Sequence, residues 1–173
     1  APIVLNAGAA EIQGFELDLQ AVPAINWLIE AGVGYIDDEI TKLDAGTGLS
    51  LNNSLVKTPK WSANAALSYT WDWTGMGTLT PRLDFTHRSS YFANAINSAH
   101  TRQDAYSLVN LGLTYESNDS KWMVSAYGRN LTDERYISAG YSEHNGPTLS
   151  LGTSEVVRDR GREWGITIKR SFF

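Results

Sequence analysis

The sequence predicts an all-β fold, an antiparallel up-and-down sheet of about seven strands. Three observations carry this expectation. Apolar and polar residues alternate with period two through successive segments. No segment sustains a helical period, and Gly, Ser, Thr and Asn are scattered through all of them. The connections between segments alternate between short and long, which places the short ones at one end of the sheet and the long ones at the other.

The segments follow in order. The first puts Phe15, Leu17, Leu19 and Ala21 on one face and Glu16, Asp18 and Gln20 on the other. The second sets Trp27, Ile29, Ala31, Val33 and Tyr35 opposite Glu30, Gly32 and Gly34. In the third, Trp61, Ala63, Ala65, Leu67, Tyr69, Trp71 and Trp73 oppose Ser62, Asn64, Ser68, Thr70 and Asp72. The fourth alternates Leu79, Pro81, Leu83 and Phe85 with Thr80, Arg82, Asp84 and Thr86, and the fifth Val109, Leu111, Leu113 and Tyr115 with Asn110, Gly112, Thr114 and Glu116. A sixth starts at Lys121 and Trp122 and runs into "SAYGRNLTDERY" (125–136). The seventh sets Trp164, Ile166, Ile168 and Phe172 against Gly165, Thr167, Lys169 and Ser171.

Residues 22–26, 74–77 and 117–120 are built from turn formers such as Pro, Gly, Asn, Asp and Ser. Residues 37–60, 89–104 and 140–160 are long polar connections of the kind that usually carries function. Membrane barrels have this asymmetry, with short turns at one end and long loops at the other.

Alternation alone does not decide between a soluble β-sandwich and a membrane barrel, since either hides one face. The aromatic residues favour the barrel. Trp27 and Tyr35 share a face eight residues apart, as do Trp61 and Tyr69. With tilted strands that spacing covers ~20 Å along the barrel axis, near the ~25 Å apolar band flanked by aromatic girdles. The opposite face carries Glu16, Asp18, Glu30, Arg82 and Asp84 and reads as a wet, mixed-charge lumen. No run reaches the ~18 apolar residues of a transmembrane helix. Residues 1–5 lack the basic flank and long apolar stretch of a secretory signal. A net charge of −5 argues against a nucleic-acid partner, and the lack of cysteine excludes disulfides and thiolate metal sites.

The ends of the chain add a family resemblance. "NLTDERY" (Asn130, Leu131, Thr132, Asp133 to Tyr136) resembles the signature that TonB-dependent outer-membrane receptors carry on their penultimate strand. As in that family, a long loop follows, then Gly161-Arg162 and a last strand ending in aromatics, Phe172 and Phe173. "NAGAAEIQGFE" (6–16) is similar to the family's opening of an earlier strand. The resemblance implies that the polar "NLTDERY" run continues its strand above the membrane. It implies that the terminal aromatics are read by the outer-membrane insertion machinery. Arg170 departs from the pattern by taking an outward position usually filled by an apolar residue.

Members of the family resemble 22-stranded barrels plugged by an N-terminal domain. Seven strands would leave two edges that lipid cannot satisfy. The whole chain, 1–173, is therefore expected to be a C-terminal portion of such a barrel, with the plug domain absent. By resemblance it lies in the bacterial outer membrane and serves energised nutrient uptake, with ferric siderophore the expected ligand class and cobalamin, oligosaccharide and aromatic compounds the alternatives. The expected partners are outer-membrane lipid, the rest of the barrel and plug, and the TonB complex. A small self-contained barrel acting as adhesin, anchor or hydrolase is the alternative, and a soluble β-sandwich binding module the next.

No catalytic constellation and no cofactor site is legible, so the chain is read as a transporter section rather than an enzyme. His87, His100 and His144 lack metal-ligand spacing, and no nucleophile-elbow serine motif occurs. The run Asp37, Asp38, Glu39 offers oxygen ligands for a hard cation, but a solvated strand end is the simpler reading. Tyr91, His100, Arg102, Tyr141 and His144 in the long loops are the candidate ligand contacts, because aromatic and Arg side chains anchor binding surfaces.

Overall fold

The computed structural model describes residues 7–142 and 154–172. Among the described residues twelve strands run in chain order: β1 (Gly8–Ala21), β2 (Trp27–Leu43), β3 (Trp61–Tyr69), β4 (Trp71–Trp73), β5 (Gly77–Arg88), β6 (Tyr91–Phe92), β7 (Arg102–Gln103), β8 (Tyr106–Ser117), β9 (Trp122–Arg129), β10 (Ile137–Ser142), β11 (Ser154–Arg158) and β12 (Glu163–Arg170). The main sheet has the order β1-β2-β3-β5-β8-β9-β12, and β4 continues β3 alongside β5. Every pairing in it is antiparallel. With β4 taken as the continuation of β3, each strand of this sheet pairs with the sheet's next strand in chain order, the short β6, β7, β10 and β11 lying outside it. The seven expected strands are therefore present as an up-and-down section. β1 and β12 are its two edges and do not pair with each other, so the barrel is not closed.

The two faces follow the alternation. Directly opposed residues share a face, so the rows Tyr35–Trp61 and Trp27–Tyr69 bound an outer band holding Val33, Ala63, Ala31, Ala65, Phe85, Ile29, Leu67 and Leu83. At the upper row Phe15, Tyr35 and Trp61 form one ring cluster, with Tyr35 and Trp61 centroids 4.7 Å apart. At the lower row Trp27 and Tyr69 pack at 4.9 Å. Nothing among the described residues covers this face: Leu17, Trp164, Ile166 and Ile168 are each about two-thirds exposed. A soluble sandwich would bury these side chains, whereas a lipid-facing wall leaves them open and girdles them with aromatics.

β1 and β2 are longer than the apolar band requires. The 17 residues of β2, at ~3.3 Å each and tilted near 40°, cover about 40 Å of axis. The hairpin they form thus rises well above the upper aromatic row and takes in the first residues of the expected loop at 37–60. The three short connections are tight. Trp27 donates to the Ala24 carbonyl, Met76 to that of Trp73 and Ser120 to that of Ser117, with Asn26, Gly75 and Ser120 at positive φ.

The long connections are not plain loops. β6 and β7 form a small hairpin around a single 3-10 turn (Ala99–Thr101), and β10 pairs with β11. Residues 44–60 fold onto them: Ser54 and Asn97 exchange two hydrogen bonds, and the Lys57 amide donates to the Phe92 carbonyl. The buried apolar residues (Ile40, Tyr91, Ala93, Tyr106, Ile137) all lie at this end, with buried Thr101, Gln103 and Asn130. One expectation fails here. "NLTDERY" does not prolong its strand: β9 stops at Arg129, and Asn130 and Asp133 take positive φ in a tight turn.

Candidate functional site

All five residues expected on the lumen face share the polar face of the sheet. Glu30 on β2 and Asp84 on β5 both oppose Ala66 on β3. That small side chain lets the Arg82 guanidinium reach across β3, with Nη1 2.6 Å from Glu30 Oε2 and Nε 2.9 Å from Asp84 Oδ1. On the next row Asp18 and Asn64 close over Gly32, which has no Cβ to obstruct them. Glu16 lies one row higher, opposite Gly34 and in line with Ser62 and Arg88.

Where this polar face meets the loop layer, it opens into a cleft of about 420 Å³ lined by Lys57, Thr86, Arg88, Tyr91, Tyr106, Leu108, Tyr136, Ser138 and Asp159. Its aromatic wall is held rigidly. Tyr106 and Tyr136 stack at 4.4 Å, 7° from parallel. The Tyr136 hydroxyl donates to the Asp159 carboxylate, and the Tyr91 hydroxyl donates to the Ile137 carbonyl at 2.8 Å. Burial, then the neighbouring Tyr106, pushes the Tyr91 phenol up to about 12. Burial and the Asp159 hydrogen bond raise Tyr136 as well. The same hydrogen bond, with the Arg160 amide, lowers Asp159. Both phenols therefore stay protonated and neutral at ordinary pH. Arg88 and Lys57 are exposed in the cleft and make no ion pair among the described residues. The cleft thus combines two uncommitted cations with aromatic surface, a pairing suited to an anionic aromatic group.

The family of this architecture is fixed by comparison. The family model described as "TonB dependent receptor-like, beta-barrel" matches residues 2–131. The chain belongs to the TonB-dependent receptor family. Solved structures agree. The ferric yersiniabactin uptake receptor FyuA from Yersinia pestis is 25% identical with TM-score 0.80, over 97% of this chain and 24% of that one. BauA, the ferric preacinetobactin receptor from Acinetobacter baumannii, is 20% identical with TM-score 0.70, over 92% of this chain and 22% of that one. The siderophore receptor PiuA from the same organism is 20% identical with TM-score 0.68, over 92% of this chain and 21% of that one. The chain spans about a quarter of the length of these receptors.

In this section of a TonB-dependent receptor, the signature residues form a junction. Asn130 is buried. Its Oδ1 accepts from the Glu134 amide at 2.9 Å, and its Nδ2 donates to the Glu134 and Arg160 carbonyls. Asp133 accepts from the Arg162 amide at 2.8 Å, which with nearby Arg135 and Arg162 holds its carboxyl below the usual range. Leu131 continues the β8 ladder by donating to Val109, Thr132 lies within reach of Asn130, and Tyr136 stacks in the cleft. Arg170, the one departure from the family pattern, lies over the Trp122 ring and the Phe172 ring, 4.9 Å from each centroid. Its charge is thereby masked by aromatic faces at the strand end. Phe172 is exposed, and Phe173 lies outside the described residues.

The expected ligand contacts are dispersed. Tyr91 lines the cleft but is buried, with its hydroxyl committed to Ile137. Arg102 lies in a neighbouring hollow of about 380 Å³ with Tyr91, Phe92 and Lys60, and is 3.7 Å from Asp104. His100 is exposed in the 3-10 turn, and Tyr141 is exposed on β10. Neither reaches the cleft, and His144 lies outside the described residues. The acidic run at 37–39 is divided: Asp37 pairs with Lys60 at 2.9 Å and Asp38 accepts from the Leu55 amide at 2.6 Å. His87 faces outward, bonded to Ser107 across the β5–β8 pair at 2.9 Å. Arg88, Lys57 and Tyr106 were not singled out from the sequence. The legible signal for Arg88 is its even position, which extends the polar face of Arg82 and Asp84.

Proposed function

We propose that the chain is the C-terminal wall of an outer-membrane receptor for energised uptake of a ferric siderophore. The observation that carries this is the sheet itself. It has an uncovered, aromatic-girdled apolar face, a charged inner face, and a loop layer folded over one end. The open edges at β1 and β12 would be completed by the remaining strands of a 22-stranded barrel, whose lumen holds a plug. The inner-face charges (Glu16, Asp18, Glu30, Arg82, Asp84) then line the lumen. Ligand would meet the loop layer first, at the exposed residues His100, Arg102 and Tyr141. It would pass next into the cleft, where Arg88 and Lys57 attract its anionic groups. The TonB complex acts through the plug, and no bond is made or broken. FyuA and BauA are receptors for ferric chelates, which supports this ligand class here.

The test is uptake of radiolabelled iron by cells carrying or lacking the complete receptor, offered a panel of ferric siderophores with TonB present or deleted. Accumulation that needs both receptor and TonB is the expected result. Uptake of cobalamin or an oligosaccharide in its place would overturn the ligand class while keeping the transporter. Iron uptake that is indifferent to the receptor, with no other nutrient responding, would overturn the transport reading.

A further inference from the structure

The last strand poses a problem that its face pattern does not solve. A slip of one residue between β9 and β12 turns Trp164, Ile166 and Ile168 into the polar face and is rejected by the alternation. A slip of two residues leaves every side chain on its proper face. Another feature must select the observed register, in which Ser125 opposes Thr167 and Gly128 opposes Trp164.

We infer that the turn at residues 130–136 is the device that sets the register of β12 against β9. The turn leaves β9 directly and grips the residues leading into β12. Asn130 Nδ2 reaches the Arg160 carbonyl, Asp133 Oδ1 accepts the Arg162 amide, and the Asp159 amide donates to the Tyr136 carbonyl. A shift of two residues moves the peptides at 160 and 162 by ~7 Å and breaks all three. The Asn130 side chain is committed on both sides, since its other bonds close the turn on Glu134. The first pairs of the strand agree with this register. Trp164 lies over Gly128 on the outer face and Tyr127 over Gly165 on the inner one, and a Cβ on either glycine would run into the ring. A two-residue slip takes each ring off its glycine.

The test is cysteine cross-linking in the complete receptor assembled in outer membranes, since this chain supplies no cysteine of its own. Cysteines at Ser125 and Thr167 report the observed register. Cysteines at Ser125 and Lys169, or at Met123 and Thr167, report slips of two residues in the two directions. With the turn intact, only the first pair is expected to join. In Asp133→Ala and Asn130→Ala the in-register product is expected to fall and a slipped product to rise severalfold. The proposal is overturned if the in-register product persists at full yield. It is also overturned if all products fall together with the folded fraction, which would make the turn a source of stability without selectivity. Asn130 is buried, so should Asn130→Ala prevent assembly, the exposed Asp133 decides the matter alone.

Discussion

The sheet wall and the loop layer above it are held by different physics. In the wall, Leu17 and Ile166 remain largely exposed, Leu83 and Leu111 nearly half exposed, and the polar face is joined by few side-chain contacts. Backbone ladders supply its order, and in the proposed membrane setting lipid would supply what a core supplies elsewhere. The loop layer is the reverse. Tyr91, Ala93, Thr101, Tyr106 and Ile137 are buried against one another, and side chains such as Gln103 and Asn97 satisfy backbone groups that no ladder reaches. The layer is a small water-side core mounted on a membrane-side wall. Changes to one region should therefore leave the other standing.

The largest effect is expected from a charge on the apolar face. Leu83→Arg places a cation between the two aromatic rows, nearer the lower one, where the cost lies between the ~2–4 kcal/mol of the bilayer midplane and the ~0–1 kcal/mol of its interfaces. Urea unfolding of the complete receptor in vesicles should show this loss for the whole barrel. The same denaturation in Tyr91→Phe should show little change of the barrel. That substitution strips the buried Ile137 carbonyl of its donor, a local loss of ~1–3 kcal/mol. It should appear as faster proteolysis of the loop layer. If Tyr91→Phe lowers the barrel transition as much as Leu83→Arg does, the two regions are one cooperative unit and the comparison fails.

The same division explains what was legible in the sequence. The wall was readable because period two is imposed along each of its strands, from Phe15 in β1 to Ile168 in β12, by one apolar and one wet side. The loop layer obeys no period. β6 and β7 have two residues each, too few to alternate, and Tyr91 and Tyr106 meet through contacts distant in sequence. "NLTDERY" misled because a polar strand and a polar turn have similar composition. The residues that decide between them are Asn130 and Asp133, types that tolerate positive φ, and both adopt it here. Arg170 looked anomalous only because its partners, Trp122 across the ladder and Phe172 along it, are invisible to a linear pattern. Of the cleft's lining, Tyr91 was singled out in the sequence as a candidate ligand contact, while Arg88 and Lys57 required the fold.

A pH titration sharpens the comparison further. Tyr91 has its phenol raised to about 12 in the folded loop layer, against ~10 in an unfolded chain. The raised group favours the folded layer fully below pH ~10, and that contribution disappears as pH climbs through the folded value. The loop layer should therefore loosen between pH ~10 and the folded value, seen as tyrosinate absorbance rising together with loop proteolysis, while the strand signal in circular dichroism persists. Tyr91→Phe should shrink the response to the part that Tyr136, also raised, contributes. Loss of strand signal in step with the loops would again join the two regions.

The smallest effect is expected inside the wall's polar face, from Arg82→Ala. The guanidinium bridges Glu30 and Asp84 at short distances, but all three side chains are more than a third exposed. Water and salt screen such pairs, so the barrel should lose no more than ~1 kcal/mol. The substitution nonetheless leaves Glu30 and Asp84 unpaired on the inner face and, by removing one cation between two carboxylates, makes that face more negative by one charge below the cleft. If that face lines the ligand's path, entry of an anionic chelate should slow while urea stability barely changes, and high salt should restore the rate. A stability loss as large as that of Leu83→Arg would mean instead that the charge network, and not lipid, holds the wall together.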